Sequence, residues 1–147
     1  SGGQTGVDRA AFDFAPENKI EIGGFVPKNR LAEDGEIPAK YPNLIETETE
    51  DYSERTELNV KNSDATLILS HGELVGGSKL TEEFAVKYRK PFLHIDFSVL
   101  TLEQAVEKTS EWLNEIECET LNIAGSRASE DAEIYEKTRE FFKLLFG

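Results

Sequence analysis

The chain has 147 residues, enough for one domain with a genuine core. Hydrophobic residues make up 38% and aromatics 10%, which excludes a disordered chain. The formal net charge of −13, from 29 acidic and 16 basic residues, opposes nucleic-acid backbones and anionic membranes, so neither is expected as a partner.

In chain order, Ser1-Gly2-Gly3-Gln4-Thr5-Gly6 is a glycine loop, and residues 7–15 follow with Val7, Ala10, Ala11 and Phe14 at helical spacing. A loop of this kind ordinarily follows a strand, so one is expected ahead of Ser1. Pro16 and Asn18 end the first helix or its last turn. A short strand is expected at 20–22, stopped by Gly23-Gly24. Residues 25–41 show no period and carry Lys28, Arg30, Glu33 and Asp34. A segment of that kind is either a lid or an ordered surface loop held by its prolines. Residues 44–49 form a second short strand, and 52–61 a helix with Tyr52, Thr56, Asn59 and Val60 on one side. On that helix Arg55, Thr56 and Asn59 make either an exposed polar face or a buried network near the site.

The six residues 65–70 are continuously apolar or small, as suits a parallel strand covered on both faces. A glycine-rich loop, 71–77, leads into a helix at 78–89 with Ser78 as its N-cap. A strand at 92–95, a helix at 101–116 capped by Thr101, a strand at 121–124 and a helix at 132–145 complete the chain. Strand and helix alternate from residue 65 onward. That pattern predicts an α/β, Rossmann-like three-layer fold, a mostly parallel sheet with helices on both faces, in a single domain spanning 1–147.

Ligands of such sheets bind beyond the carboxyl ends of the strands. Three glycine loops fall there. In the first, glycines let the backbone approach a ligand, with Asp8 and Arg9 close behind. In the second, Gly76-Gly77-Ser78 with Thr81 lies between the strongest strand and a helix. In the third, Gly125-Ser126-Arg127, Arg127 either supplies the local positive charge an acidic protein needs for an anion or pairs with Glu130 or Asp131. The ligand-binding candidates are therefore Gly2, Gly3, Gln4, Thr5, Gly6, Asp8, Arg9, Lys28, Arg30, Gly76, Gly77, Ser78, Thr81, Gly125 and Arg127. None of the loops is a Walker A motif or a dinucleotide fingerprint. His71, His94 and Cys118 lack metal-ligand spacing, so no metal is assigned. One cysteine, no signal peptide and no membrane-length apolar run make a cytoplasmic chain the expectation.

Residues 1–10 resemble the opening motif of the putative molybdenum carrier family. So do Pro27-Lys28, Ala32-Glu33-Asp34-Gly35, Tyr41-Pro42, Arg55-Thr56, Gly76-Gly77-Ser78 with Leu80-Thr81, and Ala124-Gly125 with Arg127. The resemblance covers nearly the whole chain. It implies a circularly permuted fold of the SLOG superfamily, whose members bind nucleotide-derived ligands. The carrier name points to molybdenum cofactor, a phosphorylated pterin. Both ligands are phosphorylated small molecules, and a homodimer is the implied oligomer. One superfamily branch, the phosphoribohydrolases, carries Pro-Gly-Gly-x-Gly-Thr-x-x-Glu. Laid on Gly76-Gly77 this pattern puts its glutamate at Glu83, but Val75 replaces the proline and Lys79-Leu80 replace Gly-Thr. Glu83 and Asp8 are thus the catalytic candidates of an alternative reading, a hydrolase acting on a nucleotide or N-glycosidic bond.

Overall fold

The structure, a computed structural model, describes all of residues 1–147. Helices α1 (Val7–Glu17), α2 (Tyr52–Lys61), α3 (Gly76–Lys87), α4 (Leu102–Glu115) and α5 (Ile134–Phe146) surround strands β1 (Gly24–Val26), β2 (Leu31–Ala32), β3 (Gly35–Glu36), β4 (Leu44–Glu46), β5 (Ala65–Ser70), β6 (Phe92–Asp96) and β7 (Leu121–Gly125). Three parallel strands in the order β6-β5-β7 form the centre, with Leu67 opposite both Leu93 and Ile123. A separate parallel pair, β1 with β4, sets Phe25 opposite Ile45. The other edge of β1 is met at Phe25 by the Asn59 carboxamide, which accepts from its N–H at 2.8 Å and donates to its carbonyl at 2.9 Å. The fold is Rossmann-like, with helices on both faces of parallel strands.

All six residues of β5 are buried, which is why its sequence shows no alternation. The two faces nevertheless differ. Leu67, Leu69, Ile95 and Ile123 pack with Val7, Phe14, Ala105, Phe141 and Phe142 from α1, α4 and α5 in the main core. Neighbouring positions Thr66, Ser70 and Asn122 are buried polar residues, and α3 lies against β5 and β7. A smaller cluster of Phe12, Val26, Ala32, Ile37 and Tyr41 packs under the segment after β1. One face of the sheet therefore carries the apolar stabilisation, and the other accommodates polar chemistry. No helix is long and apolar enough to cross a membrane.

Several expectations need correction. Residues 20–22 are not a strand; the strand begins at Gly24, so Gly23-Gly24 introduces it rather than stopping it. Ser78 does not cap α3. Val75 is the N-cap, its extended backbone presenting a carbonyl to the Ser78 and Lys79 amides, and the helix starts two residues before Ser78. The end of α1 needs no correction: Pro16 lies in its last turn and Asn18 is its C-cap, as expected, with Asn18 Nδ2 donating to the Phe14 carbonyl at 2.9 Å. Likewise, Thr101 caps α4 in a full capping box with Gln104, as the sequence predicts.

The segment after β1 is an ordered loop. It contains a tight turn (Lys28–Arg30) and the antiparallel pair β2–β3. Arg30 pins it by donating to the carbonyls of Ile37 at 3.0 Å and Pro38 at 2.7 Å.

Candidate functional site

At the carboxyl end of β7 a polar cleft opens between the first loop, α2 and α3. Of its 15 lining residues only two are hydrophobic, Ile123 and Ala124. The space open to the centre of a water-sized sphere is about 40 Å³, a few water positions where each needs roughly 10–15 Å³. The enclosed part thus suits a compact polar group rather than a flat ring system. A second, apolar groove of about 690 Å³ lies at the other end of β7, beside Phe14, Leu121 and Phe142. Its charged side chains, Glu21 and Glu119, are acidic, which disfavours an anion there. Cys118 lines that groove, away from the cleft.

The second glycine loop presents donors to the cleft. The α3 amides of Gly76 and Gly77 donate to no carbonyl or side chain, since the Val75 carbonyl serves only Ser78 and Lys79. The helix dipole places partial positive charge at the same point. Ser78, only 4% exposed, carries a hydroxyl with no partner, whereas Thr81 one turn later donates to the Gly77 carbonyl at 2.8 Å. Across the cleft, Gln4 is 5% exposed. Its Oε1 accepts from the Thr5 N–H at 3.1 Å and the Glu33 N–H at 2.9 Å, and these two bonds fix the orientation of the amide. Its Nε2 is left buried without an acceptor. Three buried polar side-chain atoms lack a partner; two of them, Ser78 Oγ and Gln4 Nε2, belong to residues of this cleft, and the third, Thr138 Oγ1, does not.

Two arginines add charge. Arg127 follows β7, with a guanidinium nitrogen 3.9 Å from where a Gly77 side chain would begin. It both lines the cleft and pairs with Glu130 at 3.8 Å, so the two readings of Arg127 hold together. Arg55 is 7% exposed on α2 and donates to the Gly2 carbonyl at 2.6 Å and the Thr56 hydroxyl at 3.1 Å. A side chain on Gly2 would sit 2.3 Å from the Arg55 Nη1, which is why glycine is needed there. Both guanidinium groups lie over the Tyr52 ring, at 5.3 and 5.7 Å from its centroid.

Asp8, in the first turn of α1, is the buried carboxylate of the cleft. Burial pushes its carboxyl above the ordinary range, and Arg55, 3.7 Å away, pulls it back. Arg55 in turn is lowered by its own burial and raised by Asp8. The pair neutralises charge that neither group could carry alone in so dry a place.

Much of the first loop's donor capacity is engaged within the protein. Its Gly3 amide donates to Ser1 Oγ, Gln4 to Asp8 Oδ2, Thr5 to Gln4 Oε1, and the Val7 amide of α1 to the Ser126 carbonyl. These four donors serve the protein itself, while the Gly2 and Gly6 amides, like those of Gly76 and Gly77, donate to no protein acceptor. Gly6 adopts φ 81°, and a side chain there would meet the Ser126 carbonyl oxygen at 2.3 Å. The loop is therefore a wall of the cleft, to which it contributes Gly2, Gln4 and Asp8.

This geometry frames the comparisons with known proteins. A family model described as "Circularly permutated YpsA SLOG family" matches residues 1–146. The chain belongs to that family. It is also similar to a crystal structure of a protein named putative molybdenum carrier protein from Syntrophus aciditrophicus SB, at 51% identity and a TM-score of 0.97, covering 99% of this chain and 92% of that one. A search of curated proteins gave no match.

In this SLOG-family chain, eight expected site residues share the cleft: Gly2, Gln4, Asp8, Gly77, Ser78, Thr81, Gly125 and Arg127. Gly76 is not a lining residue, although a side chain there would meet Glu130, which is one. The others lie elsewhere. Arg9 forms a two-pronged ion pair with Asp34 at 2.9 and 3.1 Å and also holds the Gly3 carbonyl. Thr5 donates to Glu33 and accepts from Ala128 N–H at 3.0 Å. Gly3 and Gly6 shape the loop without lining the cleft. Lys28 and Glu83 are exposed outside it, and Arg30 is occupied by carbonyls of its own loop. Arg55, Thr56 and Asn59 are all buried and line the cleft; Arg55 donates to Thr56, while the Asn59 carboxamide is spent on Phe25. Asn122 is an unforeseen lining residue; a polar side chain inside an otherwise apolar strand is the signal that marks it. No group of three or more His, Cys, Asp or Glu side chains is placed to hold a metal ion.

Proposed function

We propose that the cleft binds a phosphorylated small molecule, with the phosphoryl group at the start of α3. There the Gly76 and Gly77 amides, Ser78 Oγ, Gln4 Nε2 and Arg127 supply donors and charge. The observation that carries this reading is the pair of buried, partnerless donors on opposite walls, Ser78 Oγ and Gln4 Nε2. A polar, compact interior takes the phosphoryl end of a nucleotide-derived ligand or of molybdenum cofactor. The flat base or pterin then lies outside, on the side of Tyr52 and its two arginines. No thiolate or imidazole lines the cleft, so molybdenum would be carried through its organic cofactor and not through protein ligands. Native mass spectrometry of freshly purified protein tests the proposal. A co-purified species that carries phosphate supports it. A ligand without an anionic group, or a chain whose melting temperature ignores every phosphate compound offered, contradicts it.

One observation keeps a hydrolase in view: Asp8 is a carboxylate within the cleft, placed where it could act on a bound ester or glycosidic bond. Glu83 has no such position. Incubation with nucleoside monophosphates and ADP-ribose, read for released base or phosphate, decides between binder and enzyme. The cytoplasm as location and a homodimer as assembly follow from composition and family resemblance; fractionation and light scattering test them.

A further inference from the structure

We propose that Asp8 makes the cleft selective for an oxyanion that brings a hydrogen-bond donor with it, and rejects oxyanions that bring none. The favoured class is inorganic phosphate or a phosphate ester with a neighbouring hydroxyl; the rejected class includes sulfate and molybdate. The inference rests on the anion site proposed above and adds its selectivity.

The donors at α3 accept any tetrahedral anion of suitable size. Amides, a hydroxyl, a carboxamide and guanidinium groups do not distinguish phosphate from sulfate. Asp8 does, because it is an acceptor set among donors; the other carboxylate of the cleft, Glu130, is paired with the Arg127 amide at 3.1 Å and its guanidinium at 3.8 Å. Its Oδ2 is engaged by the Gln4 amide at 3.3 Å and by Arg55 at 3.7 Å. No protein group donates to its Oδ1, and Asp8 lines the same cleft as Ser78 and Gln4. The interior holds only a few water positions, so an anion seated on Ser78 has little room to retreat from the carboxylate wall. Near neutral pH, inorganic phosphate keeps at least one proton, and that proton can be donated to Oδ1. Sulfate and molybdate keep none. For them, oxygen faces oxygen, and the carboxylate loses its water without gaining a partner. Sites that require a hydrogen bond from the ligand discriminate strongly against analogues lacking it. A phosphate monoester dianion has no proton of its own, so its donor must be a hydroxyl on the attached group.

The test is calorimetric titration near neutral pH, in a buffer free of oxyanions, with inorganic phosphate, ribose 5-phosphate, sulfate and molybdate. Wild-type protein is expected to bind inorganic phosphate at least about tenfold more tightly than sulfate or molybdate. Ribose 5-phosphate separates a donor on the anion from a donor on the sugar, and tighter binding than inorganic phosphate assigns the contact to a hydroxyl. Asp8→Asn, whose amide both donates and accepts, is expected to close the gap to within about threefold by raising sulfate affinity. Equal binding of phosphate and sulfate by the wild-type chain overturns the inference, because Asp8 then carries the proton and donates to either anion. A gap that persists in Asp8→Asn overturns it too. Failure of all four anions to bind removes the anion site itself, a separate outcome. The wild-type comparison needs no variant, so it decides even if Asp8→Asn does not fold.

Discussion

Replacing Ser78 by alanine separates a binding residue from a merely structural one, because the two roles predict opposite signs. Ser78 is buried and its hydroxyl has no partner in the ligand-free fold. A buried hydroxyl left unpaired costs about 1–3 kcal/mol. Alanine also exceeds serine in helix propensity by about half a kcal/mol, and Ser78 lies inside the first turn of α3 rather than at its cap. Both effects favour the variant, so Ser78→Ala should stabilise the free protein by about 1–3 kcal/mol. At this chain length that is a rise in melting temperature of roughly 3–8 °C. Binding should move the other way. A lost hydrogen bond to a charged group is worth about 1.5–3 kcal/mol, which weakens phosphate affinity by about 10- to 100-fold. Urea unfolding with and without inorganic phosphate reads both quantities in one series, since a ligand stabilises in proportion to the logarithm of its concentration over Kd. A variant that is less stable than wild type and responds to phosphate unchanged would refute the reasoning, and Ser78 would then be an ordinary packing residue.

The remaining predictions follow the same logic. Arg127→Ala should reduce phosphate affinity about tenfold or more. It should change stability by under about 1 kcal/mol, because its partner Glu130 makes only a loose, partly exposed pair with it; calorimetry beside thermal melts checks the split. Arg55→Met should destabilise the fold by about 3–5 kcal/mol, since it strands the buried Asp8 carboxylate, and chemical denaturation measures this. Gly6→Ala should lower the melting temperature sharply, with a cost of about 2 kcal/mol or more from its positive φ and the backbone oxygen in its way. Burial holds the His94 imidazole below its usual range, so its contribution is present above the unfolded pKa and is lost as pH falls. Wild type should therefore lose more stability than His94→Asn between about pH 7 and pH 5, and parallel slopes would count against it.

Elements whose determinants are local were legible in the sequence. The run Ala65–Ser70 needs only its apolar continuity, the Thr101–Gln104 box only its spacing, and α2 only its period. What the sequence does not reveal depends on partners far along the chain. The first loop has the composition of an anion cradle, yet its Gly3, Gln4 and Thr5 amides are taken by Ser1, Asp8 and the Gln4 side chain, and the Val7 amide behind it by the distant Ser126 carbonyl. Arg9 reads as a ligand for the same reason, until Asp34 closes on it. Ser78 was legible as a residue of the second glycine loop but not as one inside the helix, because Val75 is the N-cap and Gly76-Gly77 already belong to the first turn of α3. Arg55 could be noticed on its helix face, but its pairing with Asp8 across two elements exists only in three dimensions.

The central claim is that an anion sits at the start of α3 and not in the glycine loop that opens the chain. Amide chemical shifts of uniformly nitrogen-15-labelled protein, followed during a titration with inorganic phosphate, test it directly. The account predicts saturable shifts largest at Gly76, Gly77 and Ser78, with the Gln4 side-chain amide moving alongside them. Shifts centred on Gly3, Thr5 and Gly6, or none that saturate, would contradict it.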